Sequence, residues 1–188
     1  MPFKFPRWLA QTQDDRHAEQ LYAAASSHSR SVALFSALGV PDTLDGRFDA
    51  LCLHVVLLLR RLGRENTPAG AALIQGVYDA MFADMDRTLR ELGVGDLGVG
   101  KRVRQMAEGL MGRVKAYGEA LDSDNDQLLG LALRRNLFGT VAAPSEDALR
   151  ALDAYVRDSD VMLNSQNVSG MIEHGIRFAK LMGDVGNG

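Results

Sequence analysis

The stretch LCLHVVLLLRRL, Leu51 to Leu62, decides the fold. From Leu51 to Leu59 only His54 interrupts an apolar run. The run is far shorter than the roughly 20 residues that span a bilayer. A helix that is apolar nearly all round needs neighbours on every side, so this segment is predicted to be the central, buried helix of a helical domain. Its limits are written beside it. Pro41 fixes a turn, Asp42 or Thr43 caps the start, and the RRLGR sequence at Arg60 to Arg64 places cations at the negative end of the helix dipole.

Working outward, helical periodicity dominates and no alternating strand pattern or internal repeat is found. A first helix is expected from about Asp14 to Leu38, ended by Gly39. After the central helix, Thr67-Pro68 is a cap followed by proline at the first helical position. The third helix then runs to about Leu92, with Leu73, Val77, Met81, Met85 and Leu89 recurring every four residues. Ile74, Tyr78 and Phe82 widen that stripe, and Asp84, Arg87 and Glu91 have ion-pair spacing. Further helices are predicted at about Val99–Leu121, Asp124–Phe138, Glu146–Leu163 with Ser145 as cap, and Ser165–Met182, the last interrupted by Gly170 and Gly175. The expectation is an all-α, single helical-bundle-like domain of about seven helices over residues 14–182, with an N-terminal arm at 1–13 and a frayed tail at 183–188.

Composition narrows the function. The 188 residues carry a formal net charge of -3, which argues against a bulk preference for nucleic acid. Cys52 is the single cysteine, so an intramolecular disulfide framework is excluded and a reducing compartment is expected. The N-terminus MPFKFPRWLA has no apolar core of the length a secretory signal requires. A cytoplasmic protein, or one peripheral on an inner membrane, is the expectation.

Several motifs invite chemistry and are weighed on context. GDLGVGKR, Gly95 to Arg102, matches G-x-x-x-x-G-K but has Arg102 where a phosphate loop needs Ser or Thr, and it follows a helix rather than a strand. It is expected to be a tight glycine-shaped turn with Asp96 as a turn or capping residue, placing Lys101 and Arg102 at a helix start where the dipole disfavours cations. The four histidines show no metal-ligand spacing, and no metal or cofactor is expected. His54 reads either as a core histidine with a hydrogen-bonded ring or as a polar contact for haem or a quinone. Cys52, two residues from His54 on a helix, diverges from it and reads as inert. The stretch GKRVRQMAEGLMGRVKAY carries Lys101, Arg102, Arg104, Arg113 and Lys115, either a solvated face or a docking surface for an acidic partner or lipid head groups. Phe3, Lys4, Phe5, Arg7 and Trp8 alternate aromatic and basic character, as an interfacial membrane arm does, or as an arm packed on its own domain does.

Three blocks together, LGVPDTLDGRFDALCLHVVLLLRRL, MFADMDRTLRELGVGDLGVGKRVRQM and LALRRNLFG, resemble the ubiquinol-cytochrome c chaperone family, assembly factors of respiratory complex III. The resemblance covers about Leu21 to Gly139. It implies an all-α, non-enzymatic chaperone whose client is newly made cytochrome b, working near the ribosome with a small helper protein. The length, without an evident transit peptide, resembles an ancestral, bacterial-type version; a mitochondrial counterpart would face the matrix. A client with apolar helices calls for an adaptable apolar surface with a charged rim. The signature blocks place that surface at Asp42, Arg47, Asp86, Arg90, Asp96, Lys101 and Arg102, with Met81, Met85 and Met106 near it; the alternative for each residue is a structural role.

Overall fold

A computed structural model describes residues 13–139 and 144–181. The described residues form eight helices and no strand: α1 (Gln13–His28), α2 (Val32–Ser36), α3 (Leu44–Gly63), α4 (Pro68–Glu91), α5 (Asp96–Asp122), α6 (Gln127–Leu137), α7 (Glu146–Asn164) and α8 (Val168–His174). The N-terminal arm and the C-terminal tail expected from the sequence lie outside the described residues.

The apolar run of α3 is the centre. Cys52, Leu53, His54, Val55, Val56, Leu57, Leu58 and Leu62 are all fully inaccessible. Helices α1, α4, α5, α6 and α7 pack around it. Thr43, not Asp42, caps α3: its Oγ1 accepts from the Gly46 N–H at 3.1 Å. Thr67 and Ser145 cap α4 and α7 in the same way, at 3.1 Å from the Gly70 and Ala148 N–H groups. The α4 stripe Leu73, Val77, Met81, Met85 and Leu89 is buried as the four-residue spacing predicts.

Polar residues fix how the helices lie. Arg60 of α3 donates to Asp122 of α5 at 2.7 Å and to Asp160 of α7 at 3.2 Å. Arg61 Nε donates to the Gln166 carbonyl at 2.9 Å, and Arg64 pairs with Asp160 at 3.2 Å. The basic end of α3 therefore clamps α5 and α7, beyond the dipole role read from sequence. Near the other end, Asp49 pairs with Arg113 of α5, whose guanidinium also sits 5.7 Å over the Phe48 ring. Asp49 meets Arg113 and Arg60 meets Asp122, so α3 and α5 run parallel.

Three expectations change. The single first helix is broken between α1 and α2. Ser29 Oγ and Arg30 Nε both donate to the Ser26 carbonyl, at 2.8 and 3.1 Å, while the backbone tightens to three-residue bonds from Arg30 to Ser27 and from Ser31 to His28. The glycine-rich turn is shorter than expected. Gly93 ends α4 with φ +80° and Gly95 is the N-cap of α5, but Gly98, Gly100 and Lys101 are helical, so they cannot cradle a phosphate. The last helix stops at His174, because Gly175 adopts φ +86°. Residues 176–181 follow as an extended strap that buries Ile176, Phe178 and Leu181. Gln166 holds the strap by donating to the Arg177 carbonyl at 2.8 Å and accepting from its N–H at 2.9 Å; Ser159 Oγ accepts from the Ala179 N–H at 3.2 Å.

His54 is buried against this strap, 5.1 Å from the Phe178 ring. Burial lowers its pKa from 6.5 to about 4, against the raising effect of the bond to the Ala50 carbonyl. The unfolded chain takes up this proton more readily than the folded one. Stability from neutral His54 is therefore present above pH 6.5 and is lost as pH falls towards 4. Asp49 acts in the opposite sense. Burial outweighs its Arg113 partner and pushes its carboxyl up to about 6, so its contribution to stability falls as pH rises through that range.

Two outcomes are expected. The stability difference between the wild type and His54→Gln, which cancels Asp49, should shrink by about 3 kcal/mol as pH falls from about 7 to about 4 in urea titrations. A pH-independent difference would mean that folding leaves the His54 pKa at its unfolded value. Second, a Cβ at Gly46 would collide with the Pro41 carbonyl, so Gly46→Ala should destabilise by about 1–3 kcal/mol in thermal or urea unfolding.

Candidate functional site

The residues selected from sequence divide between the core and one end of the bundle. Met81 is fully buried and Met85 is 8% exposed, both in the α4 core stripe, so neither lines a surface. Their four-residue spacing with Leu73, Val77 and Leu89 is that of a helix's inward face. Met106 is half-buried and packs on the same core. Among the described residues the exposed methionines are Met111, in the basic stretch of α5, and Met162.

The charged candidates fall in two groups, one at the start of α3 and one where α4 ends and α5 begins. Asp42 and Arg47 form an exposed ion pair at 2.5 Å, and Arg47 lies 5.9 Å over the Phe35 ring. The Arg47 hydrogen bond holds the Asp42 carboxyl below its usual range. With Arg30, Val32, Phe35 and Ser36 this pair lines an open cleft of about 380 Å³. Val32 is 75% exposed there, apolar and without cover among the described residues. The break after α1 is what puts α2 and Val32 on this face.

The second group is the tip of the α4–α5 hairpin. Arg90 pairs with Asp86 at 2.6 Å and also with Asp96 across the turn, which raises the guanidinium pKa. Asp96 is the first residue of α5 and does not cap it. Lys101 and Arg102 are exposed and lie a full turn inside the helix, past the end where the dipole acts. Leu92 and Leu97 are 60% and 97% exposed beside them. A helix starting at Val99 leaves Leu97 in the turn, with no face assigned to it. Once α5 begins at Asp96, Leu97 falls opposite the buried positions Val99, Leu110 and Tyr117.

The small-molecule reading at His54 is corrected by the ring's contacts. Nδ1 donates to the Ala50 carbonyl at 2.8 Å and Nε2 accepts from the Tyr155 hydroxyl at 2.7 Å. Both nitrogens are committed inside the core, and ligation would require giving up the Tyr155 bond. Cys52 is buried and its thiol is pushed up by desolvation, which disfavours the reactive thiolate. Among the described residues no group of His, Cys, Asp or Glu is arranged to hold a metal ion, and no helix is long and apolar enough to cross a membrane.

A family model described as ubiquinol-cytochrome C chaperone matches residues 36–178. The ubiquinol-cytochrome-c reductase complex assembly factor 1 of Xenopus laevis is 26% identical over 137 residues, covering 73% of this chain and 66% of the relative. The Drosophila melanogaster protein of the same description is 28% identical over 149 residues, covering 77% of this chain and 57% of the relative. The chain thus spans less than two thirds of the length of either. The crystal structure of the Cbp3 homolog from Brucella abortus superposes with a TM-score of 0.77 at 34% identity, covering 89% of this chain and 91% of that one. By the extent of these matches and by its fold, the chain belongs to the ubiquinol-cytochrome c chaperone family.

Proposed function

We propose that this chain is a non-enzymatic assembly chaperone of the ubiquinol-cytochrome c reductase, and that its client is newly made cytochrome b. The observation that carries the reading is the family match over residues 36–178, which contains most of the exposed apolar and charged residues described above. A protein of that client's kind offers long apolar helices, and a helper must cover them weakly enough to release them. The α2–α3 cleft supplies Val32 and Phe35 for apolar contact. Asp42 and Arg47 form the rim of that cleft, and Asp86, Arg90 and Asp96 form a second paired group at the α4–α5 turn. Pairing within each group supports release: the carboxylates and guanidinium groups satisfy each other when no client is present. A small helper protein and the ribosome are further partners under this reading, and its place is the cytoplasm or the inner-membrane surface.

Site-specific photocrosslinking from Val32, Arg47, Asp86 and Arg90, in cells making cytochrome b, should capture cytochrome b. Capture of no subunit of the reductase from any of these positions would overturn the proposal. Val32→Asp combined with Arg47→Glu should lower the captured fraction about tenfold. The thermal midpoint should stay close to that of the wild type, because both side chains are exposed.

A further inference from the structure

The α4–α5 tip has features that the client cleft does not use. Arg113 meets Asp49 and a Cβ on Gly109 would touch Phe48, so α5 lies beside α3 from about that level onward. The first turns of α5 therefore run past the start of α3 at Leu44. Leu89 and Val99 are buried at this end but stand outside the contiguous main core, as a small satellite of the hairpin. At the apex Leu97 is 97% exposed and Leu92 60%. Lys101 and Arg104 follow along the same side of α5, about 6 Å and 10 Å behind Leu97 at the helical rise, with Arg102 beside them. Among the described residues none of these three cations has an ion-pair partner. The acids nearby are largely engaged: Asp86 and Asp96 by Arg90, Glu91 at 3.9 Å from Arg87; Glu108 lies farther along the helix.

We infer that this tip is a peripheral docking point for an anionic phospholipid bilayer. The axial order of residue types carries the inference. Exposed leucines stand at the apex of a projecting hairpin, and long cationic side chains stand one to two turns behind. That order matches the depth profile of a membrane surface, in which apolar groups lie about 5–10 Å below the level of the head groups. Lysine and arginine can keep their charges at the phosphates while their stems follow the leucines. An anionic polymer such as RNA would use the cations but would gain nothing from the two leucines, so the bilayer accounts for more of the surface. The contact needs no client; its failure leaves the chaperone reading standing, and the reverse also holds.

The test is co-sedimentation of the full chain with vesicles of phosphatidylcholine alone and of phosphatidylcholine mixed with phosphatidylglycerol. The chain should bind the anionic vesicles selectively and more weakly as salt is raised. Lys101→Glu, Arg102→Glu and Arg104→Glu together should weaken binding about a hundredfold. Leu97→Asp alone, with Leu92→Asp as a second variant, should weaken it about tenfold. Circular dichroism like that of the wild type checks that these surface variants fold. Equal binding to both vesicle types, or binding to neither, would overturn the inference. So would unchanged binding by the tip variants with loss on Trp8→Asp, which would move the contact to the N-terminal arm. Tighter binding to an RNA oligonucleotide than to the vesicles, insensitive to Leu97→Asp, would assign the cations to nucleic acid instead.

Discussion

A helix with no polar side has to be covered from every direction, and α3 is that helix. Its full apolar girth is met by α1, α4, α5, α6 and α7, which makes the domain a ring of helices around an axle rather than two packed layers. The few polar groups on the axle then have fixed obligations. His54 satisfies Ala50 and Tyr155, Asp49 takes Arg113, and Arg60 takes Asp122 and Asp160. These contacts set the register of the surrounding helices, which apolar packing alone specifies poorly. They also tie the His54 ring into the structure, while Cys52 is simply buried beside it in sequence.

Much of this was legible because helices advertise their inward faces. The Leu73 to Leu89 stripe, the caps at Thr67 and Ser145 and the apolar run around Leu57 all read from spacing and residue type. Less legible were the events decided by competition. Nothing in the periodicity shows that Ser29 and Arg30 will take the Ser26 carbonyl and end α1. Glycines also have two meanings: Gly93 and Gly175 terminate helices through positive φ, whereas Gly98 and Gly100 sit inside one. The surface suffered most from this. Met81 and Met85 were assigned near the outside from residue type, although their phase places them in the core. Leu97 takes its outward phase only from a helix that starts at Asp96, three residues before the start its sequence suggests.

The charges tell a related story. A chain with a slightly acidic balance does not announce a basic site, and composition alone argues against one. What matters is which charges are paired. Arg47, Arg87 and Arg90 have carboxylates within reach, so they bring little net charge to the surface they share. Among the described residues Lys101, Arg102 and Arg104 have no such partner, and local potential follows from such differences rather than from the total.

The strap at residues 176–181 has a consequence for how the molecule is made. Phe178 closes a wall around His54, while Ile176 and Leu181 are buried beside it, and even the α7 partner of His54, Tyr155, lies 101 residues away in sequence. A chain emerging from its N-terminus presents the apolar axle long before this plug exists. The core around α3 is therefore closed by contacts far apart in sequence, the kind of pairing whose loop-closure cost slows folding.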